Sequence, residues 1–292
     1  MINALTIDVE DYWSVFYGDW LQKEIEPTEA VVKNTEWFLG KFSDHNVKAT
    51  FFVLGEVAKK FPSLVKQIAQ QNHEIASHGF SHRQIFKLDR KGFRREVAES
   101  KKLLENIIGK EVLGHRAPAF SIMPETQWAL EVLAEEGYKY DSSVYPISGK
   151  RYGWPDFSRS ICRIDLPEGK SIVEVPMSTV NLFGKTLPAA GGGYIRHFPY
   201  AFTKWSMKSI QKKRPVIVYM HPYEIDTEDR KIEFIDLTER QRQNVIKFHK
   251  QQMRNRNTIK AKLLKLLEDF KFTTIVSLLN ENVIENDKLF VR

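Results

Sequence analysis

The sequence has one cysteine and no long apolar run among its 292 residues. Because Cys162 has no second cysteine to pair with, nothing requires an oxidising compartment, and we expect a small buried residue there. No apolar stretch approaches the roughly 20 residues that span a bilayer. The chain starts without the basic and then apolar stretch of a secretory signal, although a chain trimmed of its signal would look the same. These absences predict a cytoplasmic protein.

The formal net charge of +7 raises the question of nucleic-acid binding. The basic excess leans toward the C-terminal part, where Lys260, Lys262 and Lys265 alternate with apolar Ile259 and Leu263 at helical spacing. This pattern is typical of a solvated helix face, and no nucleic-acid-binding motif accompanies it. We therefore expect no nucleic-acid partner.

Short β-like segments alternate with longer amphipathic helical patterns, and no linker or repeat divides residues 1–292, which we predict to form a single domain. The predicted strands are 4–9, 48–53, 74–76, 112–114, 172–175, 216–220 and 272–276. The predicted helices are 28–44, 62–71, 89–108, 124–136, 199–212 and 258–270. Thr28 and Asp89 are candidate N-caps, and Gly109 and Gly137 are candidate helix stops. This alternation favours an α/β fold with a parallel sheet, open or closed into a barrel.

The least regular segments are 145–167 and 187–197. Long excursions between regular elements of an α/β barrel are usually loops that form the site. In such barrels the chemistry lies at the C-terminal ends of the strands. We therefore searched those ends for residues that could bind a metal or transfer a proton.

Two histidines, His78 and His82, stand four residues apart after the predicted strand 74–76. Neutral imidazole is the commonest protein ligand for zinc and similar divalent metals. Two imidazoles on one turn can share an ion if a carboxylate from elsewhere completes the set. Alone, the pattern is loose, and histidines that simply cap or pack a turn are the alternative.

Three carboxylates lie at the end of the first predicted strand: Asp8, Glu10 and Asp11. A carboxylate buried at a strand end is costly without a cation or hydrogen-bond donors. One of these groups could therefore bind the metal while another acts as a base; a solvated acidic turn is the alternative. Period-two alternation places Asp8 and Glu10 on one side if the strand continues, whereas a bend after Val9 would bring Asp11 round instead.

Two further strand ends carry functional side chains. Arg116 lies beside Pro118, which fixes the local backbone, and its guanidinium could orient the catalytic carboxylate through a bidentate contact. His221 follows the apolar run 216–220, and its ordinary pKa near neutrality suits general acid–base catalysis. An ordinary surface arginine beside a turn is the alternative for Arg116.

Five segments together resemble the polysaccharide deacetylase family, the carbohydrate esterases with the NodB homology domain. Residues 8–11 (Asp-Val-Glu-Asp) resemble its first motif, although the family commonly has two adjacent aspartates followed by glycine. Residues 78–82 resemble its metal-binding histidine pair, and 116–120 its Arg-x-Pro motif. Residues 141–145 and 220–222 resemble the last two motifs. The segments 190–194 and 221–224 are similar to the corresponding segments in one branch of this family, whose genes are found beside exopolysaccharide and exosortase gene clusters.

This resemblance implies a distorted, seven-stranded (β/α) barrel of the NodB type and a metal-dependent hydrolase that removes N-acetyl groups from a sugar. Asp8 would be the general base, Arg116 would orient it, and His221 would be the general acid. His78 and His82 would bind a divalent metal: zinc, with cobalt or nickel as other candidates. The third ligand would be Asp11 or Glu10, and we lean toward Asp11.

The expected substrate is an N-acetylated sugar in a polysaccharide or in its precursor. Aromatic residues on irregular segments suit stacking on sugar faces, although core packing is the alternative for each. They are Trp13, Tyr17, Trp154, Tyr194 and Tyr223. A backbone N–H near Tyr145 could stabilise the oxyanion, and the glycines 191–193 suit a close approach to a sugar chain.

Other functions remain open on the same resemblance. They are an allantoinase-like amidohydrolase acting on a small cyclic amide, a non-catalytic carbohydrate-binding protein, and a glycosidase with paired carboxylates. The histidines would be surplus to a glycosidase mechanism.

Overall fold

The computed structural model describes residues 1–149, 152–229, 231–234 and 237–281. The strands are β1 (Asn3–Val9), β2 (Thr50–Val53), β3 (Glu74–Ser77), β4 (Gly114–His115), β5 (Tyr140–Asp141), β6 (Cys162–Asp165), β7 (Ser171–Glu174), β8 (Thr179–Leu182), β9 (Lys185–Pro188), β10 (Ile217–Met220) and β11 (Phe272–Thr273). The α-helices are α1 (Tyr12–Leu21), α2 (Glu29–Asp44), α3 (Gly55–Lys60), α4 (Pro62–Gln70), α5 (Arg90–Ile108), α6 (Ala129–Glu135), α7 (Gly192–His197), α8 (Tyr200–Ile210), α9 (Glu239–Met253), α10 (Ile259–Asp269) and α11 (Ile275–Glu281).

Seven strands lie side by side and parallel in the order β10, β1, β2, β3, β4, β5 and β7. The antiparallel β6 extends one edge, and β11 pairs with the start of β1, so the main sheet has nine strands. β8 and β9 form a separate hairpin. The predicted α/β fold with a parallel sheet is confirmed. The predicted count of seven holds for the parallel run and not for the whole sheet.

The sheet does not close through strand pairing: in the part of the chain that the structure describes, β10 at one edge does not pair with β6 or β7 at the other. Irregular chain bonds to the β10 edge instead. The Ile217 N–H donates to Ser178 Oγ over 2.8 Å, and the Tyr219 N–H donates to the Ala190 carbonyl over 3.2 Å. The barrel is therefore distorted on this side.

Side-chain alternation divides the buried strand residues between two apolar clusters. In β1, Leu5, Ile7 and Val9 pack in the large cluster that the helices share, whereas Ala4 packs in a second cluster with β2 and β10 residues. Because side chains of a strand alternate between faces, Asp8 points to the same face as Ala4. Asp8 therefore lies on this second face, near the C-terminal end of β1.

Several predicted boundaries are corrected by local polar contacts. The segment 272–276 is strand only to Thr273, because Thr274 Oγ1 accepts from the Ser277 N–H and begins α11. In place of the predicted strand 112–114, the structure has β4. In place of the predicted helix 124–136, it has a 3₁₀ turn at Pro124–Thr126 and helix α6. Asp89 caps α5 and Gly109 ends it, as predicted.

Helix α1 has no counterpart among the predicted helices, because its apolar residues show no clear one-sided pattern. Cys162 is buried, as expected. None of the described helices is long and apolar enough to cross a bilayer.

His73 makes the fold sensitive to acid at a point remote from the strand C-termini. Its Nδ1 accepts a hydrogen bond from the Ala49 N–H, and its ring packs on Phe42 and Phe51. Burial and, to a smaller extent, the charge of Lys48 lower the pKa of His73 to about 4. The unfolded chain would bind this proton near the ordinary histidine pKa, so stability is present above that value and is lost as the pH falls toward 4.

We therefore expect His73→Asn, which keeps an acceptor, to lose less stability on acidification than the wild type. The difference between pH 7 and 4.5 should be about 2 kcal/mol in the free energy of unfolding. Urea unfolding at both pH values measures it. Parallel losses in the two proteins would contradict the assignment.

Candidate metal and catalytic site

Four strands bring functional side chains to one cleft. Asp8 is the penultimate residue of β1, while His78, Arg116 and His221 directly follow β3, β4 and β10. Parallel pairing places the C-terminal ends of these strands at the same edge, as a barrel site requires. The cleft has a volume of about 160 Å³. Its lining includes Asp8, Glu10, Tyr12, Asp19, Trp20, His78, His82, Phe120, His221, Tyr223, Phe248 and Gln252.

Glu10, His78 and His82 form a cluster that could hold a metal ion, with one ligand atom from each lying within 4.8 Å of the others. Glu10 Oε2 lies 2.8 Å from His82 Nε2 and 3.5 Å from His78 Nε2. This oxygen is buried and makes no hydrogen bond of good geometry with any described residue. Three converging electron-pair donors of the N, N, O type suit zinc or a similar divalent cation, so these residues fit a metal.

Asp11, toward which the sequence interpretation leaned, is not part of this cluster. It is the N-cap of α1: Asp11 Oδ2 accepts from the Ser14 N–H over 2.9 Å, and Oδ1 accepts from the Thr28 hydroxyl over 2.7 Å. The predicted cap Thr28 precedes α2 as expected, but its hydroxyl goes to Asp11 rather than to its own helix. The chain therefore stays extended through Glu10, which faces the cleft beside Asp8, and turns only at Asp11.

The outer nitrogen of the His78 ring has a hydrogen-bond partner, since His78 Nδ1 lies 2.8 Å from the Arg116 carbonyl oxygen. Such a partner fixes ring orientation in metal sites and leaves Nε2 for the ion. His82 Nδ1 faces Asp19 Oδ2 at 3.8 Å and makes no hydrogen bond to a described residue. Asp19 was missed in the sequence because it lies on the unpredicted helix α1.

The turn that carries the histidines is fixed by a carboxylate that the sequence analysis also missed. Glu96 of α5 accepts hydrogen bonds from the Phe80 N–H, the Ser81 N–H and the Ser81 hydroxyl. The Phe80 ring packs directly against Gly55, and it lies 2.4 Å from the position that a Cβ on Gly55 would take. His82 has a left-handed backbone with φ of 54°, a conformation that needs such support.

Asp8 and Arg116 form a fully buried ion pair. Arg116 Nη1 donates to Asp8 Oδ1 over 2.6 Å and to Thr6 Oγ1 over 2.7 Å, while Nε donates to the Ser142 carbonyl. The guanidinium also lies over the Phe52 ring, 4.1 Å from its centroid. The expected contact is therefore present, but it uses one nitrogen and is not bidentate. The other guanidinium nitrogens bind other acceptors, which fixes the pair.

The imidazole of His221 lies among three carboxylates. Its Nε2 is 3.5 Å from Glu10 Oε1 and 3.9 Å from Asp8 Oδ2, and its Nδ1 is 3.4 Å from Glu224 Oε2. Burial alone would lower the pKa of His221, but the charges of Glu10, Glu224 and Asp8 raise it to about 9. This ring can therefore carry a proton at neutral pH.

The contact between Glu10 and His221 that raises the pKa of His221 lowers the pKa of Glu10. Burial by itself raises this pKa, but the charges of His82 and His221 and the close contacts with the His78 and His82 rings hold it well below its usual range. Glu10 is thus an anion at neutral pH, as a metal ligand must be.

Of the aromatic residues proposed to bind substrate, Tyr223 lines the cleft, and its ring stacks on His221 at 4.8 Å between centroids. Tyr145, Trp154 and Tyr194 are not among its lining residues. Tyr145 is buried among aromatic rings, Trp154 packs on Phe157, and the Tyr194 hydroxyl bonds to that of Tyr152. Trp13 and Tyr17 are buried in the aromatic cluster around α1. The aromatic lining residues that sequence reasoning missed are Tyr12, Phe16, Trp20, Phe120 and Phe248.

The glycines 191–193 make a close approach to the protein itself. A Cβ on Gly191 would stand 1.9 Å from the Tyr219 ring, and one on Gly192 would stand 2.7 Å from it. Gly192 also has φ of 46°. These glycines therefore let α7 begin directly against β10.

Two family models match adjacent parts of the chain. Residues 25–140 match "Polysaccharide deacetylase", and residues 142–280 match "Domain of unknown function (DUF3473)". His78, His82 and Arg116 lie in the first match, His221 lies in the second, and Asp8 and Glu10 precede both. Both matched regions contribute strands to one sheet and side chains to one cleft.

A curated relative is the peptidoglycan-N-acetylglucosamine deacetylase of Bacillus cereus, which is 35% identical over 127 residues. This match covers 42% of the chain and 46% of the relative, so the chain spans about half the length of that protein.

Two solved structures show the same fold. One is a Mycobacterium smegmatis protein provisionally described as a polysaccharide deacetylase, with a TM-score of 0.62, 20% identity and coverage of 99% of this chain and 93% of that one. The other is Puue allantoinase, with a TM-score of 0.61, 14% identity and coverage of 95% and 88%. The chain therefore has a polysaccharide deacetylase domain at residues 25–140, and a DUF3473 region follows it at residues 142–280.

Proposed function

We propose that this chain is a metal-dependent hydrolase that removes N-acetyl groups from an N-acetylated sugar. The observation that carries the proposal is the meeting of three groups in one cleft: the Glu10–His78–His82 cluster, the Asp8–Arg116 ion pair and His221. Hydrolysis of an unactivated amide needs an electrophile for the carbonyl, a base for water and an acid for the leaving amine. These three groups can supply all of them.

Glu10, His78 and His82 would hold the divalent metal, with zinc proposed first and cobalt or nickel as alternatives. When bound, such an ion polarises the acetyl carbonyl and makes water more acidic. Asp8 takes a proton from the attacking water at its Oδ2, because Oδ1 is committed to Arg116. His221 Nε2 donates a proton to the amine nitrogen as the carbon–nitrogen bond breaks, and the products are acetate and a free amino sugar.

The substrate class follows from the relatives and from the shape of the cleft. The curated relative is named for N-acetylglucosamine in peptidoglycan, and the cleft is open and edged by Trp20, Tyr223 and Phe248. Aromatic faces of this kind suit the apolar faces of sugar rings. We propose a sugar within a polysaccharide or its precursor, with exopolysaccharide synthesis as the context; cytoplasmic location stays a prediction.

Acetate release tests the proposal directly. The purified chain is incubated with N-acetylglucosamine oligosaccharides, peptidoglycan fragments and allantoin, with chelator and then with added zinc, cobalt or nickel. We expect acetate from a glycan, its loss with chelator and its return with metal. Turnover of allantoin without acetate release would favour an amidohydrolase of small cyclic amides. Metal-independent turnover, or none at all on the glycans, would contradict the proposal.

The role of His221 predicts a dependence on the leaving group. His221→Ala should lose about 10²–10⁴-fold in kcat on the amide, because the departing amine needs a proton. It should lose less than about tenfold on 4-nitrophenyl acetate, since the phenolate leaves without one. Steady-state kinetics on both substrates measures the split, and equal losses would remove His221 from the acid role.

A further inference from the structure

A second buried ion pair lies behind His221 and is not explained by metal binding or by the base. Glu224 Oε2 faces His221 Nδ1 at 3.4 Å, and Glu224 Oε1 faces Arg196 Nη1 at 3.6 Å. Glu224 is 1% exposed and Arg196 is 3% exposed. We propose that Glu224, held in place by Arg196, is a positioning residue that fixes the ring of His221 so that Nε2 faces the cleft. This inference rests on the proposed function, in which His221 is the proton donor.

The local backbone makes the position of Glu224 rigid. The His221 N–H donates to Glu224 Oε2 over 3.1 Å, and the Glu224 N–H donates to the His221 carbonyl over 3.0 Å. The short helix Pro222–Ile225 between them begins with proline, whose fixed φ favours this turn. The carboxylate is thus tied to the main chain of the residue whose side chain it faces.

Arg196 reaches Glu224 because of the glycines that precede it. Since Gly191 and Gly192 lie against the Tyr219 ring, where a Cβ has no room, α7 starts beside β10 and its last turn places Arg196 next to Glu224. Arg196 Nη2 donates to Gln252 Oε1 over 3.2 Å, which ties the pair to α9. Its Nε and Nη1 make no hydrogen bond to any described group, and Nη1 is the nitrogen that faces Glu224 Oε1.

The two nitrogens of His221 therefore face different environments. Nδ1 faces the fixed carboxylate, and Nε2 faces Glu10 and Asp8 across the cleft. A histidine ring can flip by 180° about its Cβ–Cγ bond. Such a flip would place the ring carbon Cε1, and not Nε2, toward the cleft. The hydrogen bond at one ring nitrogen of a histidine sets which nitrogen carries a proton. Because Glu224 faces Nδ1, it holds the ring in the orientation that keeps Nε2 in the cleft. Stacking on Tyr223 fixes the ring plane but does not distinguish its two edges.

The experiment compares Glu224→Gln and Arg196→Gln with the wild type on two probes: an N-acetylglucosamine oligosaccharide and 4-nitrophenyl acetate. We expect kcat on the oligosaccharide to fall about 10- to 100-fold, the usual range for a supporting partner. KM on the oligosaccharide and the rate on the ester should change less than about threefold, because the ester needs no proton donor. Arg196→Lys, which keeps the charge, should recover much of the rate.

Glu74→Gln is the matched control. Glu74 is a partly buried glutamate with side-chain hydrogen bonds of its own, but it lies at the N-terminal end of β3, where it accepts from the Thr50 and Tyr140 hydroxyls. This variant tests the cost of a Glu→Gln change in a hydrogen-bonded glutamate outside the cleft, and it should leave the ratio of the two rates unchanged.

A spectroscopic readout separates positioning from activity. In ¹⁵N-labelled wild type, the Nδ1–H proton of His221, assigned by its absence in His221→Gln, should exchange slowly with water. In Glu224→Gln this resonance should broaden or disappear while the other histidine signals persist. Equal losses on both probes, or an unchanged His221 resonance, would overturn the inference. If the wild type hydrolyses neither probe, the proposed function fails, and the resonance alone decides whether Glu224 positions the ring.

Discussion

His78→Ala and His82→Ala are each expected to remove both bound metal and deacetylase activity. Each variant deletes one of the three atoms that converge in the Glu10–His78–His82 cluster. Loss of an outer partner of a ligand costs about 10–100-fold in affinity or activity, so loss of a ligand itself should exceed about a hundredfold. Elemental analysis of dialysed protein measures the metal, and acetate release measures the activity. Metal content unchanged in either variant would show that this histidine is not a ligand.

The carboxylate that completes the set is tested by a matched pair of neighbours. Glu10→Gln should lose metal as the histidine variants do, because the amide oxygen is a neutral and weaker ligand. Asp11→Asn should keep its metal, since Asp11 binds the Ser14 N–H and the Thr28 hydroxyl. Asp11→Asn should also change the melting temperature little, because asparagine caps helices about as well as aspartate. The reverse pattern of metal loss would make Asp11 the ligand.

Asp8→Asn is expected to keep the metal and lose most turnover. The amide retains an oxygen that can accept from Arg116 Nη1, but it cannot take a proton from water. General-base catalysis contributes about 10²–10⁴-fold, so kcat should fall by that factor on both the amide and the ester. This loss on both substrates distinguishes Asp8→Asn from His221→Ala, which should lose rate mainly on the amide.

Two measurements keep this prediction separate from misfolding. Asp8→Asn leaves the buried Arg116 guanidinium with a neutral partner, which costs stability, so the melting temperature is expected to fall. The metal content and the far-ultraviolet circular dichroism should nevertheless match the wild type. A near-normal rate in a folded, metal-loaded variant would move the base role to another group.

Much of the architecture was predictable from local patterns. The apolar segments with β-branched residues gave β1, β2, β3, β7 and β10, because a strand buried on both faces reads as a continuous apolar run. Helices α2, α4, α5 and α10 followed from apolar periodicity and from caps such as Asp89. Helix α1 and the turn at Thr274 were not predictable in this way, because hydrogen bonds between distant residues and single cap contacts decide them.

The aromatic residues show where sequence reasoning stops. Tyr145, Trp154 and Tyr194 lie on irregular segments, as sugar-binding residues often do, yet their rings pack on protein and do not line the cleft. Trp20 and Phe248 stack on each other at 4.1 Å and do line it. They are 228 residues apart in the sequence, and only the packing of α1 against α9 brings them together.

The sequence by itself determined which residue types are available for the chemistry and that they follow strand ends: Asp8, His78, Arg116 and His221. Parallel strands then had to bring these ends to one edge, because side chains at the C-terminal ends of neighbouring strands point into the same space. Only the tertiary structure showed that Glu10, and not Asp11, faces the two histidines, since the Thr28 hydroxyl, 17 residues beyond Asp11, donates to the Asp11 carboxylate. It also decided that Arg196 reaches Glu224, because that contact requires two glycines to lie against the Tyr219 ring.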